Sequence, residues 1–166
     1  MRHVIVLTVF SLSLNGCGKV QDAVDSVIPG DGGGSTRKAG VKDPAFTRYV
    51  ELYEDAYDRD ISNQTILLED KLTGWPGVSV NTLGFCVQGG NEIHILRSAW
   101  DKVSDLTKQM ILFHELGHCD MGQGHRAGQQ KDYCPTSIMA ANITTDDCYS
   151  RNYSSYLKEL SDNIRK

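Results

Sequence analysis

The sequence predicts an α+β fold in which a small, twisted, mixed β-sheet packs against an N-terminal, a central and a C-terminal helix. Two patterns support this prediction. In three segments the apolar residues recur at spacings of three and four, which places them on one face of a helix. Between the first two of these segments lie short runs of β-branched, aliphatic and aromatic residues that are typical of strands.

The N-terminal helix is predicted to begin at Asp43 and Pro44. An aspartate favours the capping position, and proline is tolerated at the first helical position, where its missing N–H is not needed. The residues that follow give this helix one apolar face, which we expect in the core: Phe46, Tyr49, Val50, Tyr53 and Tyr57.

Three segments are predicted to form the sheet. Residues 65–69 are rich in aliphatic and β-branched side chains. Residues 84–88 and 92–96 flank a short segment that contains two glycines, and two such runs around a tight turn predict a β-hairpin. The expected sheet therefore combines this hairpin with the earlier strand.

The two remaining helices differ in how clearly the sequence marks them. Ser104 can cap the central helix, which we expect to extend to about Cys119. Residues 120–150 are expected to be irregular. The C-terminal helix is predicted from Asn152 to Ile164, with its apolar residues facing inward.

The first 16 residues are predicted to be a signal peptide. Arg2 and His3 precede an apolar stretch, residues 4–14, of the length found in secretory signals. The residues that follow, ending in Cys17, resemble the lipobox of bacterial lipoproteins. This resemblance implies cleavage before Cys17 and acylation of its thiol, and Gly18 in the next position implies sorting to the outer membrane. A plain signal peptide with an incidental cysteine is the alternative.

The chain therefore divides into three predicted regions. Residues 1–16 are the lipoprotein signal peptide, residues 17–40 a lipid anchor and a Gly-rich flexible tether, and residues 41–166 a folded domain. Acyl chains attach a protein to a membrane without spanning it. We expect the domain to be held at the bacterial cell envelope, at the outer membrane, facing the periplasm or the exterior.

Four cysteines remain after Cys17 is set aside, and an even number in an exported protein predicts two disulfides. Four cysteines allow three pairings. We favour Cys86–Cys119, which would tie the strand region to the end of the central helix, and Cys134–Cys148, which would close a short loop. The alternative is that Cys119 is a metal ligand. On a helix, however, its side chain would point about 100° away from that of the neighbouring His118.

The central helix carries the sequence HELGH at residues 114–118. His114 and His118 are four residues apart, so their side chains project from the same face of a helix and both can reach one ion. Zinc accepts neutral histidine nitrogens and keeps an open position in catalytic sites. Glu115 points to one side of the metal, where it can accept a proton from a coordinated water.

A third metal ligand is predicted in His125, seven residues after His118. Gly122 and Gly124 lie between the two histidines and permit the chain to turn back. Asp120 is the alternative third ligand, but it is too close in sequence to His118 to fold back easily.

These ligands, followed by a tight turn at residues 137–139, resemble the metzincin clan of zinc peptidases. The resemblance implies a small zincin-like catalytic domain with one Zn²⁺ ion, and it places Met139 in a Met-turn beneath the metal. The family has a glycine three residues after the second histidine and its third histidine three residues later. Here Met121 stands at the glycine position and His125 comes one residue late, as a one-residue insertion in the loop would explain.

Several other polar residues are candidates for the site. Some metzincins carry a tyrosine two residues after the methionine of this turn, where this sequence has Ala141. Tyr133, Tyr149 and Tyr153 are candidates to stabilise an oxyanion, each with a structural role as the alternative. His94 lies at a polar-facing position of a predicted strand and is not expected to bind the metal.

The sequence thus predicts a zinc metalloendopeptidase in which Glu115 takes a proton from the attacking water and passes it to the leaving amine. We expect a monomer that binds a peptide or protein substrate along a strand of the 84–96 hairpin and meets the membrane only through its anchor. The net charge of −4 argues against nucleic acid as a partner. The alternatives are a lipoprotein whose zinc site has a structural or binding role, and one in which the motif is accidental.

Overall fold

A computed structural model of the protein describes residues 40–75, 77–87 and 91–162. The predicted signal peptide, the predicted lipidation site Cys17 and the tether up to residue 39 lie outside these residues, as do most of the hairpin turn and the last four residues. In the described part of the chain, no helix is both long and apolar enough to cross a membrane.

The described residues form a mixed α+β structure with one three-stranded sheet, as the sequence predicts. Strand β1 (Thr65–Glu69) pairs in parallel with β3 (Glu92–Leu96), and β2 (Gly84–Cys86) pairs with β3 in antiparallel orientation. The strand order is β1-β3-β2, so β2 lies at one edge. The predicted hairpin is confirmed, because β2 and β3 are its two strands.

The N-terminal helix begins where the sequence predicts, but its first turn is a 3₁₀-helix. The Asp43 carboxylate accepts a hydrogen bond from the Ala45 N–H at 3.0 Å and caps this turn, Pro44–Phe46. Helix α1 (Thr47–Tyr57) follows directly. A short helix that the sequence did not predict, α2 (Arg97–Trp100), continues from the end of β3.

The central helix α3 (Asp105–Cys119) has the predicted bounds. The hydroxyl of Ser104 accepts a hydrogen bond from the Thr107 N–H at 3.1 Å, and Asp105 places a negative charge in the first turn, where it interacts favourably with the helix dipole. Every residue from 109 to 117 is buried. The helix therefore crosses the interior of the molecule, with the sheet on one side and the other helices around it.

The C-terminal helix α4 (Asp146–Asp162) begins six residues before the predicted start at Asn152. The prediction that residues 146–150 are irregular was therefore wrong. The Thr145 hydroxyl accepts a hydrogen bond from the Cys148 N–H at 3.2 Å, and two aspartates occupy the first turn. These are ordinary start signals, but the first turn is polar and shows no apolar periodicity.

One hydrophobic core joins the sheet to the helices. Phe46, Tyr49 and Trp100 make edge-to-face ring contacts at one end of this core, and Tyr53 contacts Phe113 at the middle of α3. Both favoured disulfides are present, and each joins Cα atoms that are 5.5 Å apart. Cys86–Cys119 ties the edge strand to the last residue of α3, and Cys134–Cys148 ties the preceding loop to α4.

Candidate metal centre

Three histidines converge at the end of α3, as the sequence predicts. His114 and His118 lie one turn apart on the helix, and His125 returns to them from the loop that follows. The three Nε2 atoms are separated by 3.1 Å (His114 and His118) and by 3.2 Å for each of the other two pairs. Among the described residues, these three form the one group of side chains arranged to hold a metal ion.

The outer nitrogens of the two helical histidines fix the orientation of their rings. His114 Nδ1 lies 2.8 Å from the Ile138 carbonyl oxygen, and His118 Nδ1 lies 2.6 Å from the Gln123 carbonyl oxygen. A carbonyl only accepts, so each Nδ1 carries the hydrogen and each Nε2 presents a lone pair. Lone pairs that face one another repel, and a cation between them removes this repulsion.

Both helical histidines are held in the neutral form that a metal ligand requires. Burial and, to a smaller extent, the neighbouring His118 lower the pKa of His114 to about 3. Burial also lowers the pKa of His118 to about 4, although its hydrogen bond to the Gln123 carbonyl acts in the opposite direction. Neither ring needs to lose a proton at neutral pH before it can bind a cation.

The loop between His118 and His125 accommodates its extra residue with a sharp turn after the helix. Gly122 adopts a left-handed backbone with φ of 65°, which glycine allows without strain. Gln123 follows and is buried; its N–H donates to the Gly117 carbonyl at 2.9 Å and its own carbonyl orients His118. The longer loop therefore keeps His125 at the metal group and adds a contact to a ligand.

Asp120, the alternative third ligand, is engaged elsewhere. Its carboxylate accepts hydrogen bonds from Tyr53 Oη at 2.9 Å and from Arg59 Nη2 at 2.9 Å. It does not belong to the histidine group. Cys119, the other alternative ligand, forms the disulfide with Cys86.

Met139 lies directly against helix α3, which carries His114 and His118. It is fully buried, and the space beside Gly117 is filled by the Met139 sulfur and by the side chain of Leu160. The backbone of the same turn contacts the ligands, because Ile138 orients His114 and the Met139 carbonyl accepts from the Arg126 N–H at 2.9 Å. The turn thus supports both ends of the ligand set.

Replacing Gly117 with Ala should destabilise the protein by about 1–3 kcal/mol, because the added methyl group would overlap the Met139 sulfur and displace it. Denaturation by urea, monitored by circular dichroism, would measure this. Gly124→Ala is the matched control, since nothing lies within 4 Å of a methyl group at that position. Equal stability of the two variants would contradict the close packing of Met139 on the helix.

Glu115 is buried between α3 and the edge strand. The backbone N–H of Cys86 donates to its carboxylate, and Cγ of Glu115 lies 3.4 Å from the position a Cβ would occupy on Gly84. Its Oε2 atom is buried and has no hydrogen-bond partner among the described residues. Burial raises the pKa of Glu115 to about 8, and the Cys86 N–H acts in the opposite direction. Such a group binds and releases protons readily near neutral pH.

Glu115→Gln should stabilise the metal-free protein at neutral and alkaline pH. The folded-state pKa of about 8 exceeds the ordinary value of 4.5, so between these pH values the unfolded state binds fewer protons and wild-type stability falls as pH rises. Glutamine removes this fall and should add on the order of 4 kcal/mol by pH 8. His114 and His118 contribute the same slope to both proteins, so the difference between the two curves of unfolding free energy against pH isolates Glu115. A constant difference from pH 4 to 8 would contradict the raised pKa.

Two cavities flank a small gap beside His114, and the first of them borders the histidine group. One of about 400 Å³ is lined by His125, Tyr133 and Asn142, among others. A larger one of about 640 Å³ lies where the segment before β2 meets the N-terminal ends of α3 and α4. A small gap that contacts His114 shares Pro135 and Asn142 with the first cavity and Ile143 and Thr144 with the second. A ligand larger than a single residue therefore has space to extend past the metal group.

The remaining candidates occupy different environments. Tyr133 is 80% exposed, has a left-handed backbone with φ of 64° and lines the cavity beside His125. Tyr149 is fully buried in the core, and Tyr153 accepts a hydrogen bond from Gln109 Nε2 at 3.0 Å. Tyr133 is therefore the tyrosine placed in the cavity beside His125.

His94 is buried, whereas its alternating position in the sequence suggested a polar face. Its ring stacks on Phe85 with centroids 5.0 Å apart, and Trp75 covers it at 4.7 Å. Its Nδ1 atom lies 3.1 Å from a carboxylate oxygen of Glu69 on the neighbouring strand. The outer face of the sheet is thus covered by the segment between β1 and β2.

The residues that support the three histidines from outside were not predicted from the sequence. Gln123, Ile138 and Glu159 contact the ligands or the loops that carry them, and they come from three separate parts of the chain. Ile138 and Gln123 act through their backbone carbonyls, which a pattern of side chains cannot identify. Glu159 is a charged helix residue, a type that is usually exposed to solvent.

Comparison of the chain with protein families, with characterised proteins and with solved structures finds no match.

Proposed function

We propose that the protein is a zinc-dependent metalloendopeptidase with a small zincin-like domain of the metzincin type. The observation that carries this proposal is the convergence of three Nε2 atoms within 3.2 Å, with the buried Glu115 beside them on the same helix. The α+β architecture, the helix that crosses beneath the sheet and the buried Met139 support the zincin-like fold.

The histidine group fits a zinc ion. Three nitrogens at about 2.0–2.1 Å from a tetrahedral zinc ion lie roughly 3.3–3.4 Å from one another. The observed separations of 3.1 and 3.2 Å are close to this value. Structural zinc sites are usually closed by a fourth protein ligand, whereas catalytic sites use three. The three-residue group therefore favours catalysis over the alternative of a structural or binding site.

When bound, zinc would supply a Lewis acid that polarises a substrate carbonyl and makes water easier to deprotonate. His114, His118 and His125 would hold it. Glu115 accepts the proton of the attacking water on its free Oε2 atom and then delivers it to the amine that leaves as the peptide bond breaks. Burial of Glu115 favours this role, because it brings the pKa of the carboxyl into the range in which both steps occur.

The edge strand β2 is suited to bind the substrate. It pairs only with β3 among the described strands, and it lies against Glu115 through Gly84 and Cys86. An extended peptide can add to such an edge through backbone hydrogen bonds, with side chains in adjacent cavities. We propose a monomeric enzyme with peptide or protein substrates. The two disulfides support an oxidising compartment, and with the lipobox-like sequence at Cys17 they favour the bacterial envelope.

Removal of the metal should abolish cleavage of a peptide library, and one equivalent of Zn²⁺ should restore it, because the described residues contain no second group of candidate ligands. Mass spectrometry of the peptides and elemental analysis of the protein would measure the two effects. Cleavage that survives complete demetallation would contradict the proposal. Stoichiometric zinc without any cleavage would favour the structural or binding role instead.

A further inference from the structure

One turn of helix α4, at Glu159 and Leu160, contacts residues that orient or adjoin the three histidines. The Glu159 carboxylate accepts a hydrogen bond from Ser137 Oγ at 2.9 Å through one oxygen, and its other oxygen lies 3.3 Å from Arg126 Nη1. Ser137 directly precedes Ile138, whose carbonyl orients His114. Arg126 directly follows His125. The Glu159 carboxylate thus connects the turn that orients His114 to the residue that follows His125.

Leu160, the next residue of α4, contacts the residue that orients His118. The Leu160 carbonyl accepts a hydrogen bond from Gln123 Nε2 at 2.6 Å, and the Gln123 carbonyl orients His118. Leu160 also packs beside Gly117 on the metal-binding helix. The positions of all three histidines therefore depend on the same turn of α4.

Most of these contacts are shielded from solvent, although the Arg126 side chain is 39% exposed. Ser137 and Gln123 are buried, Leu160 is fully buried, and the Glu159 side chain is 21% exposed. Exposed ion pairs hold geometry poorly, because water screens them and long side chains remain mobile. A charged acceptor in a partly buried network is stronger and restricts its partners more. By contrast, Lys158 and Asp162, neighbours on the same helix, form an exposed ion pair with each other.

We infer that Glu159 is a positioning residue, which sets the geometry of the metal ligands by holding Ser137 and Arg126 in fixed relation to each other. This inference rests on the proposed metal centre. Hydrogen-bonding partners outside the ligand shell typically change metal affinity by about 10–100-fold when they are removed. Glu159 acts on the centre through two loops at once, so its removal should loosen His114 and His125 together.

The test compares Glu159→Gln and Glu159→Ala in the full domain with its disulfides intact. Glutamine can still accept the hydrogen bond from Ser137 but loses the charge that faces Arg126, whereas alanine loses both. Asp162→Asn is the matched control, because it removes a carboxylate from the same helix, away from the centre. Affinity for Zn²⁺ is measured by competition with a chromophoric chelator, and ligand geometry by the visible spectrum of the Co²⁺ form.

We expect Zn²⁺ affinity to fall by about 10–100-fold in Glu159→Ala and by less in Glu159→Gln, with a changed Co²⁺ spectrum in both. Asp162→Asn should match wild type in both measurements. A purely structural role would lower the unfolding temperature without moving the Co²⁺ spectrum. If Glu159→Ala does not fold, Glu159→Gln alone decides the question. A folded Glu159 variant with wild-type affinity and spectrum would overturn the role of Glu159 but not the metal centre. A wild-type protein that binds neither Zn²⁺ nor Co²⁺ would overturn both.

Discussion

Glu115→Gln is expected to reduce peptide cleavage by about 10²–10⁴-fold while zinc stays bound, because the variant loses the proton acceptor but keeps all three histidines. Glutamine has nearly the shape of glutamate, so the Cys86 N–H can still donate to its side-chain oxygen. The measurements are the initial rate of cleavage of a quenched fluorescent peptide, taken at saturating and limiting substrate, and the zinc content of the purified variant.

The effect should appear mainly in kcat, since the carboxylate acts on the proton of water and makes no contact that a bound peptide requires. Glu51→Gln is a suitable control, because Glu51 is an exposed residue of α1 and makes no contact with the centre. A Glu115→Gln variant that cleaves as fast as this control would rule out the proposed proton transfer. Loss of zinc from the variant would indicate instead that Glu115 supports the metal.

His125→Ala is expected to lower zinc affinity by more than about 100-fold, because it removes a proposed ligand, and even partners outside the ligand shell account for about 10–100-fold. It should also eliminate cleavage at any practical zinc concentration. Competition with a chelator of known affinity measures the first effect. This variant tests the loop between His118 and His125, which is one residue longer than in the metzincin pattern.

Asp120→Asn provides the decisive comparison for the third ligand. Asp120 interacts with Tyr53 and Arg59, so its replacement should lower the free energy of unfolding and leave zinc affinity within a few-fold of wild type. If Asp120→Asn lost zinc affinity and His125→Ala lost only stability, Asp120 would be the ligand and the placement of His125 would be wrong.

The parts of the structure that the sequence predicted are those set by neighbours in the chain. The start of α3 follows from the Ser104 hydroxyl, and the shared direction of His114 and His118 follows from helical geometry alone. The hairpin follows from the two glycines between its strands. The number of cysteines indicated two disulfides, and of the three possible pairings the favoured one is present.

The parts that the sequence did not predict depend on distant contacts. Helix α4 starts early because Tyr149 is buried in the core, although the residues around it are polar. His94 is buried because Trp75, far from it in sequence, covers its ring. The role of Glu159 depends on Ser137 and Arg126, which no local pattern connects to α4.

The two disulfides also affect how the molecule responds to being cut. Cys86 and Cys119 are 33 residues apart, and the covalent ring they close contains β3, α2, α3 and two of the three histidines. Cys134 and Cys148, which are 14 residues apart, close a second ring that contains Met139. A single break in the backbone within either ring leaves the two pieces covalently joined. The proposed peptidase would be exposed to its own activity, and a first autolytic cleavage inside either ring would leave the two pieces attached to each other.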